Sequence, residues 1–340
     1  MPKTHSTIPV FIPHLGCPHR CAFCSQNSTS NTMSMPTDTD VSEKITSYLS
    51  TMPDSVIHRE VAFFGGSFTG IPVEMQRNYL NAVNPFLKNG AIHGIRLSTR
   101  PDYIDDERLT LLKEYGVTTV ELGVQSFRDR VLEQSRRGHT VSNVYEACDR
   151  VKDHGFQLVI QLMPGLPGES TDDAMYSAHE TVRQHPDGVR IYPTVVLSGT
   201  ELEKRYRGGT YTPMTLEEAI QRCVPMYELF MEHHIPVIRL GLHPFDSSNM
   251  DAIMAGPYHP AFGFMVKSRY RYHQLEKGLL DHLQQAMPKS SSLNLLIPST
   301  CAEEYIGHRR QNIRLLREAH PGIRISYSIS DIDIPAFREL

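Results

Sequence analysis

The sequence lacks a strong excess of charge of either sign. Its 34 Lys and Arg residues stand against 38 Asp and Glu residues, which gives a formal net charge of -4 at pH 7. A chain this balanced has no global attraction for a phosphate backbone. Any binding of a nucleic acid would therefore have to come from a local basic patch.

Long hydrophobic runs are also missing. The opening residues Met1-Pro-Lys-Thr-His5 contain no apolar segment of the kind that a signal peptide needs, and no later run approaches the length that crosses a bilayer. We therefore expect a cytoplasmic protein with no membrane partner. The 340 residues, 40% of them hydrophobic, suffice for one large α/β barrel with a small appendage or for two domains.

Cysteine is scarce, with six residues in the whole chain. Three of them stand singly and far apart, at Cys148, Cys223 and Cys301. Isolated cysteines are typical of buried thiols in a reducing compartment, and they argue against a second cluster. The other three lie within eight positions, at Cys17, Cys21 and Cys24, which predicts one shared binding site.

These three thiols are one ligand short of a closed metal site. Tetrahedral zinc and closed iron-sulfur sites normally take four protein ligands. A four-iron cluster with one free iron can bind S-adenosylmethionine (SAM) through its amino and carboxylate groups. The alternatives are a zinc knuckle completed by His14 or His19, or a redox pair formed by Cys21 and Cys24.

The C-x3-C-x2-C run, with Phe23 before its last cysteine, resembles the signature of the radical SAM superfamily. The resemblance implies that Cys17, Cys21 and Cys24 hold one [4Fe-4S] cluster. It further implies SAM as second cofactor and a flavodoxin or ferredoxin-like protein as electron donor.

A predicted strand, 60–64, ends on two glycines, which allow close approach of the backbone to a ligand. By itself the pair would indicate a simple tight turn. It follows the cysteine loop by one strand and one helix, as the superfamily's Gly-Gly-x motif does. The resemblance implies that four consecutive residues hold the amino group of SAM, namely Gly65, Gly66, Ser67 and Phe68.

Three further passages resemble oxygen-independent coproporphyrinogen III oxidases. Gln125 and Arg137 match cofactor contacts of that family, and an amide and a guanidinium suit a ribose hydroxyl and a carboxylate. Gln161 stands where the oxidases carry aspartate, and it can still accept from a ribose hydroxyl. Met163 opens a Met-Pro-Gly-Leu-Pro-Gly turn, for which the resemblance implies apolar contact with the adenine.

The run from Thr99 to Tyr103 and the passage 188–213 resemble the catalytic subunit of the Elongator complex. Arg190 stands where that family has lysine. Ser98 stands where it has glutamate, so a carboxylate contact from this position is not carried over. Together with a Gly-Pro-x-His-Pro-Ala-Phe segment near residue 260, the resemblance covers about residues 8 to 265, as in short bacterial Elongator-like proteins.

Strands separated by helices at intervals of thirty to forty residues predict a parallel βα barrel. Six such units fit residues 8 to 234, and a seventh strand is predicted at 235–241. The resemblance implies the α/β class with a partial, laterally open (β/α)6 barrel of TIM type. We expect residues 1–241 to form this barrel and residues 242–340 to form a small α+β extension that binds substrate or covers the barrel.

The extension contains a basic and aromatic run from Lys267 to His273, followed by a predicted basic helix with four arginines at 309, 310, 314 and 317. Basic residues interleaved with tyrosine can stack on an unpaired base and pair with its phosphates. The candidate RNA contacts are Lys267, Arg269, Arg271, Arg309 and Arg310. The ordinary alternative is a helix with a solvated charged face and its tyrosines packed inward.

The sequence therefore predicts a radical SAM enzyme that cleaves SAM reductively to a 5′-deoxyadenosyl radical for hydrogen abstraction, with an RNA base of tRNA type as one substrate class. The alternatives are a radical enzyme on a small metabolite or tetrapyrrole, and a non-catalytic relative that binds haem or another cofactor. The last hundred residues are short for an acetyltransferase domain and have no glycine-rich turn for coenzyme A, so no acetyl transfer is expected.

Overall fold

The computed structural model describes residues 4–12, 17, 20–24, 35–243, 251–286 and 292–339. His14 and His19, the alternative zinc ligands, lie outside these residues. Within them, no helix is long and apolar enough to cross a membrane.

The main feature of the described chain is a parallel sheet of seven strands. Its strands lie in the order β1, β2, β3, β4, β5, β6, β8, which follows the sequence because each strand returns beside the last. They are β1 His5–Ile12, β2 His58–Gly65, β3 Gly94–Thr99, β4 Val117–Gln125, β5 Gln157–Leu162, β6 Gly188–Ile191 and β8 Val237–Leu240. The sheet curls into a half-barrel, and the predicted open α/β barrel is confirmed.

Helices connect these strands, as crossover connections between parallel strands require. Those of the barrel are Asp38–Thr51, Val73–Lys88, Asp106–Glu114, Asp129–Gln134, Val141–Asp153, Thr171–Arg183, Glu201–Arg207 and Leu216–Glu232. Short polar side chains cap several of their first turns. Ser170, for example, accepts from the N–H of Asp173, and Thr215 accepts from that of Glu218. A two-stranded antiparallel sheet, which sequence reasoning did not predict, joins β7 Val196–Leu197 to β9 Ile253–Ala255.

Alternation along the strands separates an apolar face from a polar one. In β4, the side chains of Val120, Leu122 and Val124 are fully buried. Glu121 and Gln125 alternate with them and therefore lie on the opposite face, the inner face of the curled sheet. The barrel thus packs its helices on one face and keeps polar chemistry on the other.

The described residues form two compact units. The larger one comprises those up to 219 together with 229–260, and the smaller one comprises 220–228 and those from 261 onward. The smaller unit contains β10 Ser292–Pro298 between β11 Arg324–Ser330 and β12 Ala336–Glu339. Its helices are Phe262–Ala286, Ala302–Ile306 and Gln311–Ala319. Leu279, Leu293, Leu295 and Leu316 are fully buried in its core.

Two details differ from the sequence-based predictions. Arg309 and Arg310 do not lie in the α-helix, because both have positive φ angles, 49° and 61°; they belong to the short 3-10 turn His308–Arg310, and the α-helix begins after them at Gln311. Of the isolated cysteines, Cys148 and Cys223 are buried as predicted, whereas Cys301 is half-buried. The basic and aromatic run from Lys267 lies in a helix, as the ordinary interpretation predicted.

Candidate active site

Most of the sequence-predicted site residues, together with Arg100, lie at or just after the carboxyl ends of neighbouring strands. The cysteine loop follows β1, Gly66 follows β2, Arg100 follows β3, Gln125 ends β4 and Met163 follows β5. Carboxyl ends of parallel strands meet at the same edge of a barrel, where such folds build their sites. Residues far apart in sequence are therefore brought to one edge of this sheet.

Arg137 lies directly against the cysteine triad. Its Nη1 donates to the Sγ of Cys21 at 3.2 Å, and its Nη2 donates to the carbonyl of Gly123 at 2.5 Å. A Cβ atom on Gly123 would lie 2.7 Å from that Nη2, so glycine is needed for the guanidinium to reach its place. Cys21 and Arg137 are both buried, at 7% exposure each.

The described part of the cysteine loop is held by main-chain contacts. The N–H of Ala22 donates to the carbonyl of Ser135 at 2.9 Å, and the N–H of Leu202 donates to the carbonyl of Ala22 at 2.7 Å. Phe23 packs against Met163 and its neighbours, and also against the small cluster around Tyr211. The aromatic residue of the motif therefore fixes the loop to the barrel.

The surroundings of the thiols oppose their ionisation. Burial raises the pKa of Cys24 to about 12, and burial likewise raises the pKa of Cys17. The neighbouring thiols raise both values further, while the guanidinium of Arg137 acts in the opposite direction. Three thiolates side by side, one of them buried and two half-buried, are costly unless cations compensate them, and the iron ions of a cluster would provide that compensation.

The two glycines after β2 allow the chain to pass close to β1. Gly65 has a φ angle of 106°, and a Cβ atom there would lie 2.5 Å from the carbonyl oxygen of Ile12. Ser67 follows, and its main-chain hydrogen bond lowers the pKa of Cys17 against the larger effect of burial. Phe68 is buried and packs its ring on Phe63, with 4.9 Å between ring centroids, so its side chain belongs to the core.

The two predicted amides lie side by side. Nε2 of Gln161 donates to Oε1 of Gln125 at 3.2 Å. The carbonyl of Gln125 accepts from the N–H of Met163 at 2.9 Å, and Gln125 has a positive φ angle of 74°. Gln161 is half-buried, so part of this amide pair remains accessible from the inner face.

Sequence reasoning did not predict two buried side chains in this region, those of Arg100 and His139. Arg100 is 2% exposed and donates from Nε and Nη2 to Asp102, at 2.9 and 2.8 Å. His139 is also buried, and burial lowers its pKa to about 3. The sequence singles out the Thr-Arg-Pro-Asp run by its resemblance to the Elongator subunit. The spacing of residues does not predict that Arg100 lies near the thiols.

Several donors at this edge lack partners. Within the part of the chain that the structure describes, Nη1 of Arg100 and Nε of Arg137 are buried and have no hydrogen-bond partner. Buried donors without partners are rare, and each is costly. The charges of Cys17 and Cys21 act on Arg100, so this guanidinium also belongs to the surroundings of the triad. Two cations with free donors fit an anionic group bound at the thiols.

A second polar group lies on the inner face of the barrel. Glu121 is 2% exposed and accepts from Nη1 of Arg96 and Nη2 of Arg190, each at 2.9 Å. Ser98 donates to the same carboxylate at 3.4 Å, and Arg190 donates to the hydroxyl of Tyr192 at 3.1 Å. The carboxylate beside Ser98 is therefore supplied by the neighbouring strand, a placement that only the register of β3 and β4 reveals.

Comparison with known proteins identifies relatives of this chain. A tRNA uridine(34) acetyltransferase of Methanocaldococcus jannaschii is 34% identical over 182 residues, which are 48% of this chain and 34% of that protein. Human Elongator complex protein 3 is 32% identical over 195 residues, 51% of this chain and 36% of that protein. The matched region thus spans about a third of these relatives.

Among solved structures, the Elp3 protein of Methanocaldococcus infernus has a TM-score of 0.62 and 24% identity, over 82% of this chain and 64% of that one. This likeness supports the fold. The family model of the Radical SAM superfamily matches residues 11–180, half of the chain, and that of the Radical SAM C-terminal domain matches residues 186–272. The resemblance noted from the motifs is confirmed, and the chain belongs to the radical SAM superfamily, with relatives of the Elongator type.

Proposed function

We propose that the chain is a [4Fe-4S] enzyme that cleaves SAM reductively. Cys17, Cys21 and Cys24 would hold the cluster, and SAM would take its free iron. When bound, these cofactors would supply a 5′-deoxyadenosyl radical that abstracts hydrogen from the substrate, with a flavodoxin or ferredoxin-like protein as electron donor. The observation that carries the proposal is the pair of buried guanidinium groups, Arg100 and Arg137, beside the thiols.

The other residues divide the work of binding SAM. The segment of Gly65, Gly66, Ser67 and Phe68 would lie close to the amino group of SAM. Its main-chain carbonyls would accept hydrogen bonds from that group. Arg137, with its free Nε donor, would pair with the carboxylate. Gln125 and Gln161 would bind the ribose hydroxyls, and Met163 would contact the adenine. Burial of this edge would keep water away from the reactive species.

For the substrate we propose an RNA base. The support is the activity of the archaeal relative, a tRNA uridine(34) acetyltransferase, and the exposure of Arg309 and Arg310. Lys267 and Arg271 are weaker candidates, because both pair with Glu304, at 3.8 and 3.3 Å. Arg269 is half-buried. A chain with net charge -4 would depend on such a local patch.

Two alternatives are kept. A small metabolite or tetrapyrrole would suit the inner face, where Arg190 and Tyr192 lie beside the half-buried Gln161. A non-catalytic haem or cofactor carrier of the same fold would not explain why two buried guanidinium groups lie beside the thiols. We assign no acetyl transfer to these residues, because their match to the acetyltransferases spans only a third of those proteins.

The proposal is tested by anaerobic reconstitution with iron and sulfide, followed by reduction with dithionite in the presence of SAM. Wild-type protein should release 5′-deoxyadenosine, which chromatography measures. Cys21→Ser should release none, whereas Cys148→Ser, which changes a buried cysteine elsewhere, should behave as wild type. Release that is absent from fully loaded wild type even with cell extract, or equal in both variants, would overturn the proposal.

A further inference from the structure

Three residues with metal-binding side chains meet at the amino-terminal edge of the barrel. His5 begins β1, and His58 begins β2 with Glu60 two positions later. His5 and His58 are direct partners in the parallel register of these strands. The cysteine loop follows the other end of β1, about 23 Å away at 3.3 Å per residue. This group is therefore separate from the candidate active site.

The geometry is that of a compact ligand set. Nε2 of His5 lies 3.2 Å from Oε2 of Glu60, and Nε2 of His58 lies 3.5 Å from Oε1. One ligand atom from each of the three residues lies within 4.8 Å of the other two. A modest rotation of the side chains would bring all three atoms around one ion.

Neighbouring contacts already order this group. The carbonyl of Thr4 accepts from the N–H groups of both Ile57 and His58, at 3.0 Å each, which fixes the start of β1 beside β2. The ring of His58 lies between two other imidazoles, with centroids 4.7 Å from His5 and 5.2 Å from His93. The N–H of Arg59 donates to Nδ1 of His93 at 3.2 Å, so the outer ring of the stack is also held.

The chemical state of these side chains suits a metal. Burial raises the pKa of Glu60, but Arg96 and the two histidines outweigh it and hold the pKa below its usual value, so the group is a carboxylate. Burial lowers the pKa of His5, which leaves a neutral imidazole at pH 7. Two imidazoles and one carboxylate are a common donor set for zinc.

Arg96 limits how the carboxylate can be used, because its Nε and Nη2 both donate to Oε2 of Glu60, at 3.3 and 3.1 Å. Among the described residues, the other oxygen, Oε1, contacts only Nε2 of His58, at 3.5 Å. Oε1 is thus the oxygen available to an ion. The side chains of His5 and His58 are each 47% exposed, which gives an ion access from solvent.

We propose that His5, His58 and Glu60 bind one divalent transition-metal ion of the zinc class, with water completing its coordination. The ion would join β1, the edge strand of the sheet, to β2, and through Glu60 to Arg96 on β3. Because β1 leads directly into the cysteine loop, such a clamp would steady the strand that presents Cys17. The position at the amino-terminal edge of a barrel favours a stabilising role for this site over a catalytic one.

Cobalt titration into the anaerobically reconstituted protein tests the proposal, because the cluster then occupies the thiols. Wild type should bind one equivalent of Co²⁺ with visible ligand-field absorption and no thiolate charge-transfer band, and Zn²⁺ should displace it. His5→Gln and His58→Gln should each weaken binding more than about tenfold, as loss of a ligand requires. Zn²⁺ should also raise the melting temperature of wild type and of neither variant.

His93→Gln is the matched control, since it removes an imidazole that stacks on His58 but contributes no ligand atom to the group, and it should weaken binding far less than the loss of either histidine ligand. The proposal is overturned if wild type binds no more Co²⁺ than the double variant of His5 and His58. It is also overturned if a thiolate band accompanies binding, or if His93→Gln loses the ion equally. Circular dichroism confirms that each variant is folded.

Discussion

At the scale of single residues, the candidate site is defined by what surrounds the sulfur atoms. Arg137 donates to Cys21 and Arg100 is paired to Asp102, and each guanidinium also has a buried donor that finds no partner among the described residues. Each unpaired buried donor costs the folded protein about 1–3 kcal/mol, a cost that a bound partner would remove. We take them as prepared contacts for an anionic cofactor.

Replacing Arg137 with lysine should separate this role from simple charge. Lysine keeps the positive charge but cannot bridge Cys21, Gly123 and a carboxylate with one planar group. We expect Arg137→Lys to lower 5′-deoxyadenosine release more than tenfold and to weaken SAM binding, measured by equilibrium dialysis.

The control for this change is Arg136→Lys, which alters the preceding arginine, an exposed residue that pairs with Glu201 at 3.2 Å. It should stay within about twofold of wild type, as surface ion pairs contribute little. Equal losses in the two variants would show that Arg137 has no special part in binding SAM.

At the scale of elements, the turn at the end of β2 combines a tight backbone geometry with a proposed contact to SAM. Gly65 combines a φ angle of 106° with a close approach to Ile12, so any side chain there must displace the backbone of β1. Gly66 donates from its N–H to the same carbonyl at 2.9 Å. The turn therefore sets the spacing between the Gly-Gly motif and the strand that leads into the cysteine loop.

Gly65→Ala should destabilise the protein clearly more than Gly90→Ala. Both glycines have positive φ angles, but no atom of the described part of the chain lies within 4 Å of a Cβ on Gly90. The control should cost about 1–2 kcal/mol for its backbone conformation alone, and Gly65→Ala should exceed it because of the clash. Urea denaturation of the two variants measures the difference, and equal free energies of unfolding would contradict the account of this turn.

Elements were easier to predict than contacts. The predicted strand 60–64 lies within β2, which spans His58–Gly65, because an apolar run that stops on two glycines indicates the end of a strand. The helix that was expected to include Arg309 begins two residues later, because two left-handed residues precede it, a conformation that arginine composition does not signal. The pairing of Ser98 with Glu121 depends on register between strands, which a single sequence does not contain.

At the scale of the whole molecule, positive and negative charges nearly cancel, so binding of an RNA substrate would depend on a local basic patch. Arg309 and Arg310 are exposed, and they lie in the smaller unit at a turn before the helix Gln311–Ala319. If RNA is the substrate, their charges should contribute through phosphate contacts, which are weakened by salt.

Charge reversal tests this surface. Arg309→Glu together with Arg310→Glu should weaken retention of tRNA and reduce the slope of log affinity against log salt by about two. Arg314→Glu, which changes an exposed arginine with Glu318 as neighbour at 3.8 Å, is the control and should have a smaller effect. Retention that is unchanged by the double variant, or absent from wild type at low salt, would favour the small-molecule alternative.

The central claim is that three cysteines leave one iron of a [4Fe-4S] cluster open to SAM. Electron paramagnetic resonance of the reduced, reconstituted protein tests it most directly, with and without SAM. The account predicts that SAM changes the signal of the reduced cluster in wild type, and that Arg137→Lys requires more SAM for the same change. A cluster signal that SAM leaves unchanged at saturating concentration would contradict the account, because no iron would then be open to the cofactor.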